Sequence, residues 1–310
     1  MRFELTVLGS NSAIPTLERN PSSQVLNINE RLFLIDCAEG TQLQLRKFHI
    51  KFQKINHIFI SHLHGDHYFG LIGLLFSFHL LGREKDLHLY GPEKLLPIIK
   101  LQLDASDSKL LFPLKFHSLK EGVQDLIFDD GLISVTSFPL KHSIPTWGFL
   151  FKEKKRERNI RKDMLDGLEI PVEEFKKIKN GADFTDKNGK TYLNEDLTTP
   201  PPKERSFAYC SDTSYYEEII DYIQGVDLLY HEATFMEDMA QLAAEKFHVT
   251  AKEAASIASK SMAGKLILGH FSARYDDLNP LLREAREVFP ESYLGEDGMT
   301  FEVPLQYPEN

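Results

Sequence analysis

The stretch Ile55-Asn56-His57-Ile58-Phe59-Ile60-Ser61-His62-Leu63-His64-Gly65-Asp66-His67 places an apolar, strand-like run directly before three histidines and an aspartate within six residues. A packed core has no place for so many polar groups, because each would need a partner to offset its desolvation. Imidazole nitrogen and carboxylate oxygen are instead the donors that Zn²⁺ takes at about 2.0 to 2.2 Å. Gly65 allows the chain to fold back, so that several of these side chains converge on one point. The run therefore predicts a metal loop at the end of a strand.

One metal needs three or four protein ligands and a pair needs more, so further donors must come from other strand ends. The sequence supplies them. His142 follows Ser137-Phe138-Pro139-Leu140-Lys141, Asp212 follows Phe207-Ala208-Tyr209-Cys210-Ser211, and His270 follows Lys265-Leu266-Ile267-Leu268-Gly269. Of the twelve histidines, His49, His57, His79, His88 and His117 lack such a setting and are assigned to surface or core, His57 being the nearest to an exception.

Around these positions short β runs and helices alternate. Strands are expected over Phe3 to Leu8, Gln24 to Asn29, Leu32 to Asp36, Ile55 to Ser61, Leu87 to Tyr90, Pro113 to Leu119 and Ile133 to Pro139. A buried helix is expected over Phe69 to Leu81 and an amphipathic one over Glu93 to Leu103, after Gly91-Pro92. A second alternation runs from Phe207 to the closing strand Phe301 to Val303, with helices expected at Tyr216 to Gln224, Met236 to Lys246, Ala251 to Met262 and Leu281 to Phe289. Between the halves, 152–205 is highly charged and turn-rich, with Gly181, Gly189 and Pro200-Pro201-Pro202. It is expected to be an inserted arm on a single domain spanning 1–310. Two similar halves of mixed elements imply a layered α/β fold with two sheets between outer helices.

Composition adds limits. At 310 residues the chain can bury a full core without disulfides. Cys37 and Cys210 both sit in apolar runs and are expected as buried thiols, which fits a reducing cytoplasm. The N-terminus lacks signal-peptide character, and the longest apolar run, Phe69 to Leu81, is interrupted by Ser77 and His79, so no membrane association is expected. The net charge of −10 ordinarily disfavours nucleic acid, but Lys152 to Lys162 concentrates positive charge locally.

The metal loop with His142, Asp212 and His270 resembles the metallo-β-lactamase superfamily over nearly the whole chain. That resemblance implies an αββα sandwich and two zinc ions per subunit. One would be held by His62, His64 and His142, the other by Asp66, His67 and His270, with Asp212 bridging. Further segments narrow it. Pro15-Thr16-Leu17-Glu18-Arg19-Asn20 is similar to the Pro-x-Lys-x-Arg-Asn loop of ribonuclease Z, the tRNA 3′-processing endonuclease family, with Leu17 where the pattern has Lys. Asp36-Cys37-Ala38-Glu39-Gly40-Thr41-Gln42 resembles its Asp-Cys-Gly-Glu-Gly-Thr-Gln segment, with Ala38 for Gly. His231-Glu232-Ala233-Thr234 and His248-Val249-Thr250 resemble two further loops, and His270-Phe271-Ser272-Ala273-Arg274-Tyr275 its last ligand segment.

This second resemblance implies an endoribonuclease that cuts the 3′ trailer from precursor tRNA, leaving a 3′ hydroxyl on the tRNA and a 5′ phosphate on the trailer. Asp66 would also accept a proton from the attacking water, while His248, oriented by Glu232, would protonate the leaving 3′ oxygen. Arg19, Asn20, Thr250, Ser272 and Arg274 would contact substrate. The insertion would be a flexible tRNA-binding exosite whose Lys154, Lys155, Arg156 and Arg158 meet backbone phosphates. Its stretch Leu165-Asp166-Gly167-Leu168-Glu169-Ile170-Pro171 keeps part of the family's Gly- and Pro-rich pattern. A cytoplasmic homodimer is implied as well. Two alternatives are a superfamily phosphodiesterase or other hydrolase acting on a small molecule, and a silent RNA-binding protein with structural zinc.

Overall fold

The computed structural model describes residues 1–165 and 168–308; Asp166 and Gly167 of the arm stretch lie outside the described residues. Two compact units divide the chain, one of Met1–Lys152 with Ser206–Val303 and one of Glu153–Arg205 with the C-terminal residues from Pro304.

In the first unit, alternate residues of single strands serve different layers. Phe33 and Ile35 of the strand Arg31–Cys37 point into one core cluster, and Leu32 and Leu34 into another. In Ser206–Cys210, Phe207 and Tyr209 join the first cluster while Ala208 and Cys210 face a third. Strands apolar on both faces must be covered on both. Each of the two sheets has seven strands. The first runs Thr300–Glu302, Phe3–Gly9, Ser23–Ile28, Arg31–Cys37, Ile55–Phe59, Leu87–Gly91 and Leu114–Ser118 in spatial order. The second runs Ser292–Leu294, Lys265–Gly269, Leu228–Glu232, Ser206–Cys210, Thr146–Glu153, Ile133–Leu140 and Asp125–Asp129. Phe3, Phe33 and Phe59 meet Phe149, Phe151 and Tyr209 between the sheets. Helices Leu71–Leu80 and Leu95–Ala105 cover the outer face of one, and Ala251–Lys260 and Asn279–Val288 that of the other. The expected αββα sandwich is present.

Several local expectations are corrected. The run Phe69 to Leu81 is not one buried helix: a short helix, Gly65–Tyr68, precedes Leu71–Leu80. Only Leu71, Leu74, Leu75 and Phe78 are buried on the latter, at helical spacing, while Phe69 and Leu80 face solvent. Met236 to Lys246 is helical only from Ala240 to Glu245, after a single turn of tighter helix at Glu237–Met239. The strands Asp125–Asp129, Thr146–Glu153 and Ser292–Leu294 were not expected. Cys37 and Cys210 are free and buried, as expected.

The second unit has its own elements: the helix Val172–Lys179 and the paired strands Asn159–Ile160 with Thr198–Thr199 and Phe184–Thr185 with Thr191–Tyr192. A small core of Ile178, Phe184 and Leu197 holds them, with Ile160, Met164 and Tyr192 packed against it. Glu153 accepts two hydrogen bonds from the buried Arg205 guanidinium, at 2.9 and 3.0 Å.

Among the described residues no helix is long and apolar enough to cross a membrane.

Candidate metal centre and active site

The parallel strands set the position of the site. Arg31–Cys37, Ile55–Phe59 and Leu87–Gly91 run parallel, as do Ser206–Cys210, Leu228–Glu232 and Lys265–Gly269. Their carboxyl ends deliver Asp36, His62, Asp212, Glu232 and His270 to one edge of the sandwich, the place where open α/β sheets commonly carry their ligands. Asp36, Asp212 and His270 adopt left-handed backbone, with φ of 55°, 56° and 55°. For a residue with a Cβ this costs roughly 1 to 3 kcal/mol, which the packing around three strand ends must offset.

All seven expected ligands converge. Donor atoms of His62, His64, His142 and Asp212 lie within 4.8 Å of one another, as do those of Asp66, His67 and His270. In the first group His64 Nδ1 is 3.1 Å from both His62 Nε2 and His142 Nε2. In the second, His67 Nε2 lies 3.4 Å from His270 Nε2. Asp212 faces both groups: its Oδ2 is 3.6 Å from His62 Nε2 and 3.7 Å from His142 Nε2, and its Oδ1 is 3.1 Å from His67 Nε2 and from His270 Nε2. Tetrahedral bonds of about 2.0 to 2.1 Å separate neighbouring donors by roughly 3.3 Å, so this spacing fits metal ions.

Four imidazoles are held through their other nitrogen. His67 Nδ1 lies 2.7 Å from Asp36 Oδ2, His270 Nδ1 lies 3.0 Å from Thr234 Oγ1, His142 Nδ1 lies 3.1 Å from the Phe247 carbonyl and His62 Nδ1 lies 3.1 Å from Ser61 Oγ. Such contacts fix the tautomer and aim the free nitrogen at the metal. Asp36 is fully buried and also accepts from the Ser61 amide and hydroxyl and from the Tyr209 hydroxyl. Charge follows the same plan. Burial raises the Asp66 and Asp212 carboxyls, but the surrounding histidines outweigh it and hold both well below the usual carboxylate range. Burial and neighbouring His67 depress His62, keeping it a neutral donor.

Beside the ligands, His248 Nδ1 meets both carboxylate oxygens of Glu232, at 3.0 and 3.1 Å. Glu232 is itself fixed by the Thr213 amide at 2.7 Å and the Thr234 hydroxyl at 2.7 Å. Burial lowers His248, yet the Glu232 carboxylate more than compensates and its pKa is pushed up to about 9. A cavity of about 790 Å³ opens over these groups, lined among others by Ile14, His64, Asp66, Phe69, His248, Ser272 and Arg274.

Known proteins share this fold and much of this sequence. A family model described as Beta-lactamase superfamily domain matches residues 199–271, and one described as Anti-Pycsar protein Apyc1 matches residues 3–109. Ribonuclease Z of Bacteroides thetaiotaomicron is 47% identical over 302 residues, covering 97% of this chain and 96% of that one. Ribonuclease Z of Cytophaga hutchinsonii is 46% identical over 304 residues, covering 98% and 97%. The chain belongs to the ribonuclease Z family. The crystal structure of human tRNase Z, short form, superposes with a TM-score of 0.73 at 29% identity, covering 97% of this chain and 99% of that one.

Among the residues matched to ribonuclease Z motifs, not all reach the cavity. Arg19 is buried, its Nε donating to Asn11 Oδ1 at 3.0 Å and its Nη2 to the Tyr275 carbonyl at 2.8 Å, so its guanidinium braces the loop from inside. Asn20 is tied through its amide and side chain to Asp297 Oδ2. Thr250 is a buried helix cap: its hydroxyl accepts from the Glu253 amide and donates to Glu237. Arg19 and Thr250 are thus buried and Asn20 half-buried, all three have internal partners that a motif match does not reveal, and none of them lines the cavity. His231 is buried against the Glu232 carbonyl. In the second unit Arg156 pairs with Glu153 and Arg158 bonds Thr198, while Lys155 is exposed. Sequence reasoning passed over Asp36 as a ligand support, and over Lys246 and Phe69 in the cavity wall. Asp36, which opens the Asp36-Cys37-Ala38-Glu39-Gly40-Thr41-Gln42 segment, was the one with a readable signal.

Proposed function

We propose that the chain is a zinc-dependent endoribonuclease that removes the 3′ trailer from precursor tRNA. The observation that carries the reading is Asp212, whose two oxygens face two separate histidine groups beside the Glu232–His248 pair. His62, His64 and His142 would hold one zinc, Asp66, His67 and His270 the second, and Asp212 both. Bound zinc supplies Lewis acidity, lowering the pKa of a water from about 15.7 toward 7 and offsetting charge on the phosphoryl oxygens.

The chain's own groups do the rest. Asp66 Oδ2 accepts a hydrogen bond from the Ala13 amide at 2.7 Å, which holds the carboxylate at the cavity wall where it takes a proton from the attacking water. His248, charged and oriented by Glu232, lends its proton to the departing 3′ oxygen, the work to which a positioned imidazole is suited. The products are tRNA with a 3′ hydroxyl and a trailer with a 5′ phosphate.

The second unit supplies sequence-independent affinity through backbone phosphates, with Lys154, Lys155, Arg156 and Arg158 as its cations; Arg156 also pairs with Glu153 and Arg158 with Thr198. Family membership supports a homodimer working in the cytoplasm, as well as the choice of tRNA over a small phosphodiester. Incubation with zinc and a 3′-extended precursor tRNA, followed by mapping of the cut, tests the proposal. Cleavage beside the discriminator base is the expected result. Hydrolysis of small phosphodiesters without any cut in the tRNA would refute it in favour of a small-molecule hydrolase.

A further inference from the structure

Two aromatic side chains line the cavity over the metal centre, and they differ in what is left open. Phe235 is only 5% exposed and lies beneath the Arg274 guanidinium, 5.0 Å from its ring centroid. Phe69 is 63% exposed. Its ring is nevertheless held in place. It rests on Gly65 so closely that a Cβ there would lie 2.2 Å from its Cε2, Tyr68 packs edge-on at 5.0 Å, and the Phe69 amide donates to the Gly65 carbonyl at 3.0 Å. Gly65 stands between His64 and Asp66, so the ring is anchored to the metal loop itself. Ile14, 58% exposed, lines the same cavity.

An RNA chain that presents a phosphodiester to this centre brings a nucleobase on each side of it, and those bases need a surface. The rest of the wall mixes charged or hydrogen-bonding groups such as His64, Asp66, His248 and Lys246 with Ala13, Pro15, Pro21 and Leu242, none of which presents an aromatic face. We infer that Phe69 is a positioning residue that stacks on the base of a nucleotide adjoining the scissile phosphate, with Ile14 as a second apolar contact. Stacking uses the π-face every base possesses, so it aligns the chain without selecting its sequence. Fixing one neighbouring base sets the phosphate against the metal loop, since the ring and the ligands share one backbone segment. This role for Phe69 rests on the nuclease reading of the site.

The test uses the full chain loaded with zinc, precursor tRNA, and two further substrates abasic at the last retained or the first trailer nucleotide. Phe69→Trp keeps a stacking face, Phe69→Leu keeps apolar bulk over Gly65 without one, and Phe69→Ala keeps neither. With zinc content unchanged, Phe69→Leu and Phe69→Ala are expected to raise the half-saturating tRNA concentration roughly tenfold or more, and Phe69→Trp to restore it. The wild type is expected to lose a similar factor on one abasic substrate, and Phe69→Ala to lose nothing further on it, since the two changes remove one interaction. Wild-type behaviour of Phe69→Leu, or equal abasic losses in wild type and Phe69→Ala, overturns the inference while leaving the nuclease reading intact. A wild-type protein that cuts no tRNA overturns both.

Discussion

Glu232 and His248 face each other with both carboxylate oxygens about equally close to one imidazole nitrogen, at 3.0 and 3.1 Å, so the ring is held in orientation as well as in charge. Because the carboxylate raises the His248 pKa to about 9, the protonated ring persists through neutral pH and is lost above that value. Glu232→Gln removes the raising charge. The alkaline fall of kcat is therefore expected at lower pH in the variant, as a pH–rate profile on precursor tRNA would record; an unmoved limb would separate Glu232 from His248's proton.

His248→Ala should lower single-turnover cleavage by roughly 10²- to 10⁴-fold, the range for loss of a general acid. Zinc content, measured by elemental analysis, should stay at the wild-type ratio. Loss of metal in this variant would place His248 among the ligands instead.

Asp36→Asn keeps size but weakens acceptance from His67, Ser61 and Tyr209, all of which converge on one carboxylate. Supports of this kind are typically worth 10- to 100-fold in metal affinity. A competitive chelator titration should show that loss, although Asp36 touches no metal; unchanged affinity would reduce it to a folding residue.

For the second unit, Lys154→Ala with Lys155→Ala should weaken tRNA binding at low salt and flatten its dependence on salt concentration. The log–log slope should fall by about 1 for every phosphate that is no longer neutralised. Hydrolysis of a small phosphodiester should be unaffected, and an unaltered salt slope would remove this unit from RNA binding.

The seven metal-directed side chains are legible in the sequence because each is a donor placed where an apolar run ends, and burial would be costly for it without a ligand. Their supports are less visible. Asp36 opens a family-like segment, yet its part as a ligand support emerges only from the fold, which sets His67 beside it and brings Tyr209 from the other sheet. The same holds for Arg19 and Thr250: their family motifs are plain, but what they touch depends on Tyr275, Glu237 and Glu253.

Element boundaries follow the same logic. Asp125–Asp129 carries acids at both ends and lies at the edge of its sheet, where charge discourages further pairing, so its pattern resembles a loop. Thr146–Glu153 is interrupted by Gly148, against which the Phe138 ring packs so closely that a Cβ would sit 2.3 Å away. The Phe69 to Leu81 stretch has only Ser77 and His79 as polar side chains, too few to mark an outer face, and only the core that Leu71, Leu74, Leu75 and Phe78 join shows which face is buried.

The ligands are divided between the two sheets, His62 to His67 leaving the first and His142, Asp212 and His270 the second. A metal ion held by His64 and His142 would tie together positions 78 residues apart, and one held by His67 and His270 would span 203. Ions so placed would act as rivets: by closing long loops of chain they would remove freedom from the unfolded state, and mass action would then favour the folded one. Chelation should accordingly lower the melting temperature as well as silence the enzyme, and the two halves of the sandwich should come apart more readily once the rivets are drawn.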